Sequence, residues 1–442
     1  MNKIIKWMET HFIPVAAKIG NQRHLVAIRD SFIAIMPITM VGSVAVLLNV
    51  FFRDLPTAAK WTGFVENMHW LININGIVWW ASFAIISLAF IVSFGYHLAK
   101  DYDVNPIAGA LVALSSYIVF IPQTASFEAE INGVKELVSN WGLINVDYTG
   151  SAALFTALIV GFISTMIYIK LMQAKVTIKL PDSVPPAVSK AFAAIIPSVV
   201  AIYASSVVAY LLDTYAQMPL NDIIAKYIQV PLMGLSQGVF SVILLSFLVQ
   251  LFWFFGIHGH NVLAPIMDGI YLPATTANAE HYLKYGAEGI KDLPYIWTRG
   301  SFDAFGQMGG SGITIGLIIA IFIFSKREDS KAVAKLAAPM GMFNINEPIT
   351  FGLPIVLNPV YAIPWLIVPP ISVAIAYILT TLGVIRPVIA AVPWVLPPGL
   401  YAFLATGGDW IALVVSLALV ALSVVLYTPF VILANNMEDK EI

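Results

Sequence analysis

The sequence predicts an all-α polytopic membrane protein with about ten transmembrane helices. Three observations carry that reading. Of the 442 residues, 59% are apolar and only 11% are Asp, Glu, Lys or Arg, against roughly 45–50% and about 25% in ordinary globular domains. Runs of about twenty mostly apolar residues, the length that crosses the hydrocarbon core, occur at 26–52, 76–99, 104–122, 149–173, 187–212, 234–256, 302–325, 358–385 and 409–434. Lysines and arginines fall between these nine runs in a pattern that requires a tenth crossing. The net charge of −2 gives no signal for nucleic acid. The absence of cysteine excludes disulfides, thiolate metal sites, iron–sulfur clusters and a cysteine nucleophile in this chain.

The chain opens with Lys3 and Lys6, but no compact apolar core and small-residue cleavage site follow, so no signal peptide is expected. Ile4, Ile5, Trp7, Met8, Phe12 and Val15 recur at roughly helical spacing, and residues 1–25 are expected to form an interfacial amphipathic helix. An ordinary helical end in the cytosol is the alternative. Lys3, Lys6, Lys18, Arg23 and Arg29 place this end inside by the positive-inside rule. Lys100, Lys170, Lys175, Lys179 and Lys190 then fall inside as well, while 53–75 and the acidic 123–148 fall outside. The sixth run should end inside near Gly256, yet the run 302–325 also ends inside, at Lys326, Arg327, Lys331 and Lys335. One more crossing within 257–300 restores parity and leaves both termini cytoplasmic. A boundary near 214–232 separates an N-terminal transmembrane domain, 26–214, from a C-terminal one, 215–442.

Two apolar segments of the C-terminal domain are short and interrupted, around 257–275 and 341–357. Such pairs are the best sequence pointer to a transporter's substrate site. The second holds Asn344-Ile345-Asn346-Glu347-Pro348, and Glu347 is the one charged residue between Lys335 and Arg386. An ionisable side chain at membrane depth costs a few kcal/mol or more and persists mainly where it has a function. Broken backbone there belongs under protein or a watery cavity. A carboxylate accepts hydrogen bonds from hydroxyls, and the amides of Asn344 and Asn346 donate and accept. That is sugar chemistry rather than ion chemistry. A structural carboxylate capping backbone amides is the plainer alternative.

The first segment holds Gly256-Ile257-His258-Gly259-His260, in a stretch without Asp, Glu, Lys or Arg from Ile228 to Met267. A neutral imidazole donates and accepts, which suits a polyhydroxylated ligand; a histidine bonded to a carbonyl at a helix break is the alternative. No metal site is expected, because positions i and i+2 on a helix do not face each other. Trp394, in the proline-rich run Val392–Gly399, offers either a stacking face for a sugar ring or an interfacial anchor. The glycines of 306–312 lack the Gly-Lys-Ser/Thr ending of a phosphate loop, and their four-residue spacing favours close helix packing. Leu180-Pro181-Asp182-Ser183-Val184-Pro185-Pro186-Ala187-Val188 reads locally as a rigid turn before a helix.

Taken together, that last run, Gly256-Ile257-His258-Gly259 and Asn346-Glu347-Pro348-Ile349 resemble one family. It is the membrane-spanning EIIC component of the bacterial phosphoenolpyruvate-dependent sugar phosphotransferase system, lactose/cellobiose branch. The stretch Ala27–Thr39 looks most like its N,N′-diacetylchitobiose/cellobiose transporters. The resemblance covers essentially the whole chain. It implies a multi-pass protein of the bacterial cytoplasmic membrane with ten helices and two re-entrant hairpins. It also implies a homodimer formed mainly through the N-terminal half, and elevator-like delivery of sugar bound in the C-terminal half. A separate EIIB phosphocysteine, charged by EIIA, would phosphorylate the sugar, usually on the C6 hydroxyl. No cofactor is implied. The cysteine-free chain would carry no phosphoryl group itself. N,N′-diacetylchitobiose is the first expected substrate and cellobiose the second. By motif match His258 and Glu347 would hold the reacting end of the sugar, with His258 as hydrogen-bond partner or general base. Asn344 and Asn346 would be further donors, and Trp394 a stacking face. The competing reading is an ion-coupled secondary disaccharide transporter with Glu347 and His258 as proton relay. The scarcity of carboxylates within the runs disfavours it, since Asp30, Asp303 and Asp409 all lie near ends.

Overall fold

The structure, a computed structural model, describes residue 18 and residues 22–131, 134–181, 183–353 and 355–435. The amphipathic segment expected over 1–25 lies almost wholly outside these residues, as does Asp182. Among the described residues, seven helices are long and apolar enough to cross a membrane: Arg23–Thr57, His69–Asp101, Ser151–Gln173, Pro186–Ala216, Arg299–Phe324, Ala362–Thr381 and Trp410–Asn435. An eighth span arises if Leu220–Ser236 and Val239–Phe254, which meet at a 72° bend, count as one. The expected run 104–122 appears as a helix of only 13 residues, Pro106–Ile118. Within 257–300 the chain is helical from Gly259 to Tyr285, with a wider turn at Met267–Tyr271.

One element departs from the all-α expectation. Residues Thr124–Ile131 and Val134–Trp141 form an antiparallel two-stranded hairpin, with Phe127 paired to Val138 and Ile131 to Val134. The physical reason is legible in retrospect. Thr124, Ser126, Glu128 and Glu130 alternate with Ala125, Phe127, Ala129 and Ile131, a period of two, and Asn132-Gly133 separates the strands.

By their internal contacts the described residues divide into two units. One comprises Arg23–Thr39 and Trp79–Met233; the other comprises Met40–Val78 and the chain from Gly234 onward. In the first, Asn105 caps the helix Pro106–Ile118, its side-chain oxygen accepting from Ala108 N at 3.4 Å, and Pro106 fills the first helical position, where no N–H is needed. This helix packs on Ile86–Asp101 at two glycines. A methyl group on Gly95 would lie 2.7 Å from Ala113 Cβ and 2.8 Å from the Gly109 carbonyl oxygen. Phe90, Phe94, Leu98 and Tyr168 are fully buried around the crossing.

In the second unit, Trp297, Trp365, Phe302 and Phe305 are buried at the centre. Trp365 donates its indole N–H to the Gln250 carbonyl at 3.0 Å, and its ring fills the space beside Gly312. Gly316 faces Ser423 with no room for a side chain. Gly306 likewise packs on Val373, but Gly309, Gly310 and Gly312 take φ of 81°, 90° and 81° between the helices Arg299–Gly306 and Thr314–Phe324, so the run is a left-handed break and not the continuous helix-packing face its spacing suggested.

Candidate functional site

The helix Val239–Phe254 stops at Phe255-Gly256, where Gly256 takes φ 77°, a left-handed conformation that glycine enters freely. The chain then reverses into the helix Gly259–Ile266. His258 is its N-cap, and Nδ1 accepts from Asn261 N at 3.3 Å. A ring nitrogen that accepts carries no proton, so the neutral ring holds its proton on Nε2. Across from this turn, Leu357 donates its backbone N–H to the Phe254 carbonyl at 3.0 Å, joining the two interrupted segments. The Trp253 ring lies 4.6 Å from that of His258.

The second segment leaves the helix Glu328–Gly341, turns left-handed at Asn344 (φ 62°) and enters the six-residue helix Glu347–Gly352 with Pro348 in its first turn. Asn346 is buried and donates to Thr350 Oγ1 at 3.0 Å. The side chain of Glu347 is exposed. Asn344 is fully engaged: Oδ1 accepts from Gly309 N at 2.8 Å, and Nδ2 donates to the carbonyls of Trp394 at 2.6 Å and Leu396 at 2.8 Å. Both of its amide hydrogens are spent inside the protein, which leaves none for a ligand.

These residues enclose a cavity of about 550 Å³, within the roughly 300–1,000 Å³ of small-molecule sites. All five residues picked out from the sequence, His258, Asn344, Asn346, Glu347 and Trp394, lie on its wall. Trp394 is half exposed there.

Sequence reasoning missed a polar wall carried by the helix Arg299–Gly306 and its end. Arg299, Asp303 and Gln307 all line the cavity. Arg299 Nη1 donates to Asp303 Oδ1 at 2.6 Å and Nε to Asp268 Oδ1 at 3.2 Å; the Tyr401 hydroxyl donates to Asp303 Oδ2 at 3.4 Å. Gln307 hydrogen-bonds the His260 ring, and Ser311 Oγ approaches its Nδ1 at 3.4 Å. The signal was the spacing i, i+4, i+8, which aligns 299, 303 and 307 on one helical face. Chemically the cavity combines carboxylates, amides, imidazoles and indole faces, the donors, acceptors and flat apolar surfaces that a polyhydroxylated ring uses. Among the described residues, no group of three or more His, Asp or Glu side chains is placed to hold a metal.

The sequence model of the family described as "Phosphotransferase system, EIIC" matches residues 29–369. The chain is 40% identical to the "PTS system cellobiose-specific EIIC component" of Lactococcus lactis subsp. lactis (strain IL1403), over the whole of both chains. It is 32% identical to the "PTS system oligo-beta-mannoside-specific EIIC component" of Bacillus subtilis (strain 168), covering 89% of this chain and 86% of that one. Its fold matches the crystal structure of "the transporter ChbC, the IIC component from the N,N'-diacetylchitobiose-specific phosphotransferase system" with a TM-score of 0.89 and 30% identity, covering 97% of each chain. The chain is a membrane-spanning sugar permease that belongs to the EIIC family of the phosphotransferase system.

Proposed function

We propose that this permease imports a β-linked disaccharide, cellobiose first and N,N′-diacetylchitobiose second, and presents it to a separate EIIB phosphocysteine. The order follows the printed specificities of its relatives: two cellobiose-specific components at 40% and 34% identity, against the diacetylchitobiose-specific ChbC at 30%. The observation that carries the reading is the cavity itself, where Glu347, His258 and Trp394 converge with exposed side chains.

In this reading Trp394 stacks on one ring, His258 donates from Nε2 to the reacting hydroxyl, and Glu347 accepts that hydroxyl's proton. The hydroxyl oxygen forms the new P–O bond as the S–P bond of the phosphocysteine breaks, and the thiolate leaves on EIIB. Because His258 Nδ1 accepts from Asn261 N, the base role falls to Glu347 and the donor role to His258. The proposal includes a homodimer formed through the N-terminal half, two re-entrant hairpins, an elevator-like movement and cytoplasmic termini.

The test uses purified protein in vesicles with EIIB, EIIA, the general phosphocarriers and phosphoenolpyruvate. Cellobiose should accumulate as its phosphate only when the phosphoryl chain is complete. Accumulation of unmodified sugar driven by a proton gradient would refute the reading in favour of ion coupling.

A further inference from the structure

We infer that Asn344 is a positioning residue: its side chain is the tie that holds the Glu347 segment and the Trp394 segment on one cavity wall. This rests on the sugar-site reading above, but its test does not need sugar. Three stretches distant in sequence meet at this one amide. Gly309 N reaches Oδ1, and the carbonyls of Trp394 and Leu396 take both hydrogens of Nδ2, all at 2.6–2.8 Å. Each stretch supplies cavity wall: Gly310 and Ser311, Asn346 and Glu347, and Trp394.

None of the three is held at that point by a long helix. Glu347 opens a helix of six residues, and Trp394 sits in non-helical chain between Thr381 and Leu400. The residue type fits the task. Asparagine tolerates φ near +60° better than other non-glycine residues, and its amide offers two donors and an acceptor in one plane. The packing is tight on the same side: a methyl group on Gly310 would lie 2.8 Å from Asn344 O and 2.7 Å from Asn346 Oδ1. With every hydrogen of its amide committed, Asn344 acts on the sugar through Glu347 and Trp394.

The chain has no cysteine, so Met342→Cys and Val395→Cys, at exposed positions on the two tied segments, can be spin-labelled in an otherwise native protein. Pulsed EPR without sugar should give one narrow distance distribution. Adding Asn344→Gly, which removes the three bonds without backbone strain, should broaden it about twofold or more. Asn344→Asp keeps the acceptor for Gly309 but sets a carboxylate against two carbonyls, and should broaden it too. That second variant decides the matter should the first not fold. Cellobiose affinity should fall about tenfold in both, and Glu347→Gln should cost less in the Asn344→Gly background than alone. An unchanged distance distribution alongside weakened binding would overturn the assignment in favour of direct sugar contact. Unchanged distance and unchanged binding would overturn it altogether. Failure of the sugar-site reading would appear separately, as absent cellobiose binding in the unmutated protein.

Discussion

Leu357 donates its main-chain N–H to the carbonyl of Phe254 at 3.0 Å, joining the end of one broken helix to the chain beyond a second. The bond sets the turn that carries His258 beside the segment that carries Glu347. Two interrupted stretches, His258 on one and Glu347 on the other, thus become one cavity wall.

His258 has two roles that separate by substitution. It caps the helix Gly259–Ile266 through Nδ1 and lines the cavity. His258→Asn retains an N-cap acceptor and should leave the thermal midpoint in detergent near that of the parent. His258→Ala loses the cap, at about 1 kcal/mol. Both should weaken cellobiose binding by about tenfold, the worth of roughly one good hydrogen bond. Calorimetric titration of the two variants measures this, and parental affinity in His258→Asn would remove the ring from the sugar site.

Arg299 balances two carboxylates, Asp303 at 2.6 Å and Asp268 at 3.2 Å. Each of the three side chains is about a fifth exposed, so its loss should cost less than the roughly 3–5 kcal/mol of breaking a fully buried pair. Arg299→Met should lower stability by about 2–3 kcal/mol. Adding Asp268→Asn and Asp303→Asn should recover part of it, because the charges left unpaired are then neutral. Thermal unfolding of the single and triple variants decides the point, and equal midpoints would show that the ion network is not what the arginine supports.

The Gly95–Gly109 crossing makes a packing prediction away from the site. Gly95→Val places Cβ 2.7 Å from Ala113 Cβ and 2.8 Å from a carbonyl oxygen that cannot yield. Overpacking of this kind costs about 1–3 kcal/mol. The expected result is a lower yield of monodisperse protein and a lower thermal midpoint, with cellobiose affinity retained in the folded fraction. A midpoint equal to that of the parent would mean that the two helices separate without cost.

Part of the candidate site is legible in the sequence: Glu347 is an isolated charge in an apolar stretch, and His258 is a titratable group beside glycines at a break, and both signals are local and chemical. Arg299, Asp303 and Gln307 are not legible in the same way despite their spacing, because an arginine and an aspartate near a span's end look like ordinary interfacial charge. The structural engagement of Asn344 was not legible at all. Its partners lie 35 to 52 residues away, and no local pattern encodes such a pairing. At 124–141 the acidic composition points to an external loop while the period-two alternation points to the hairpin the structure shows.

The most direct test of the account is single-turnover transfer of labelled phosphate from phospho-EIIB to cellobiose at saturating sugar, comparing the parent with Glu347→Gln. If Glu347 takes the proton from the attacking hydroxyl, the transfer rate should fall by about 10²–10⁴-fold, the range of general acid–base catalysis. Phospho-EIIB should remain stable and the protein folded. Transfer in Glu347→Gln at a rate within a few-fold of the parent would contradict the account.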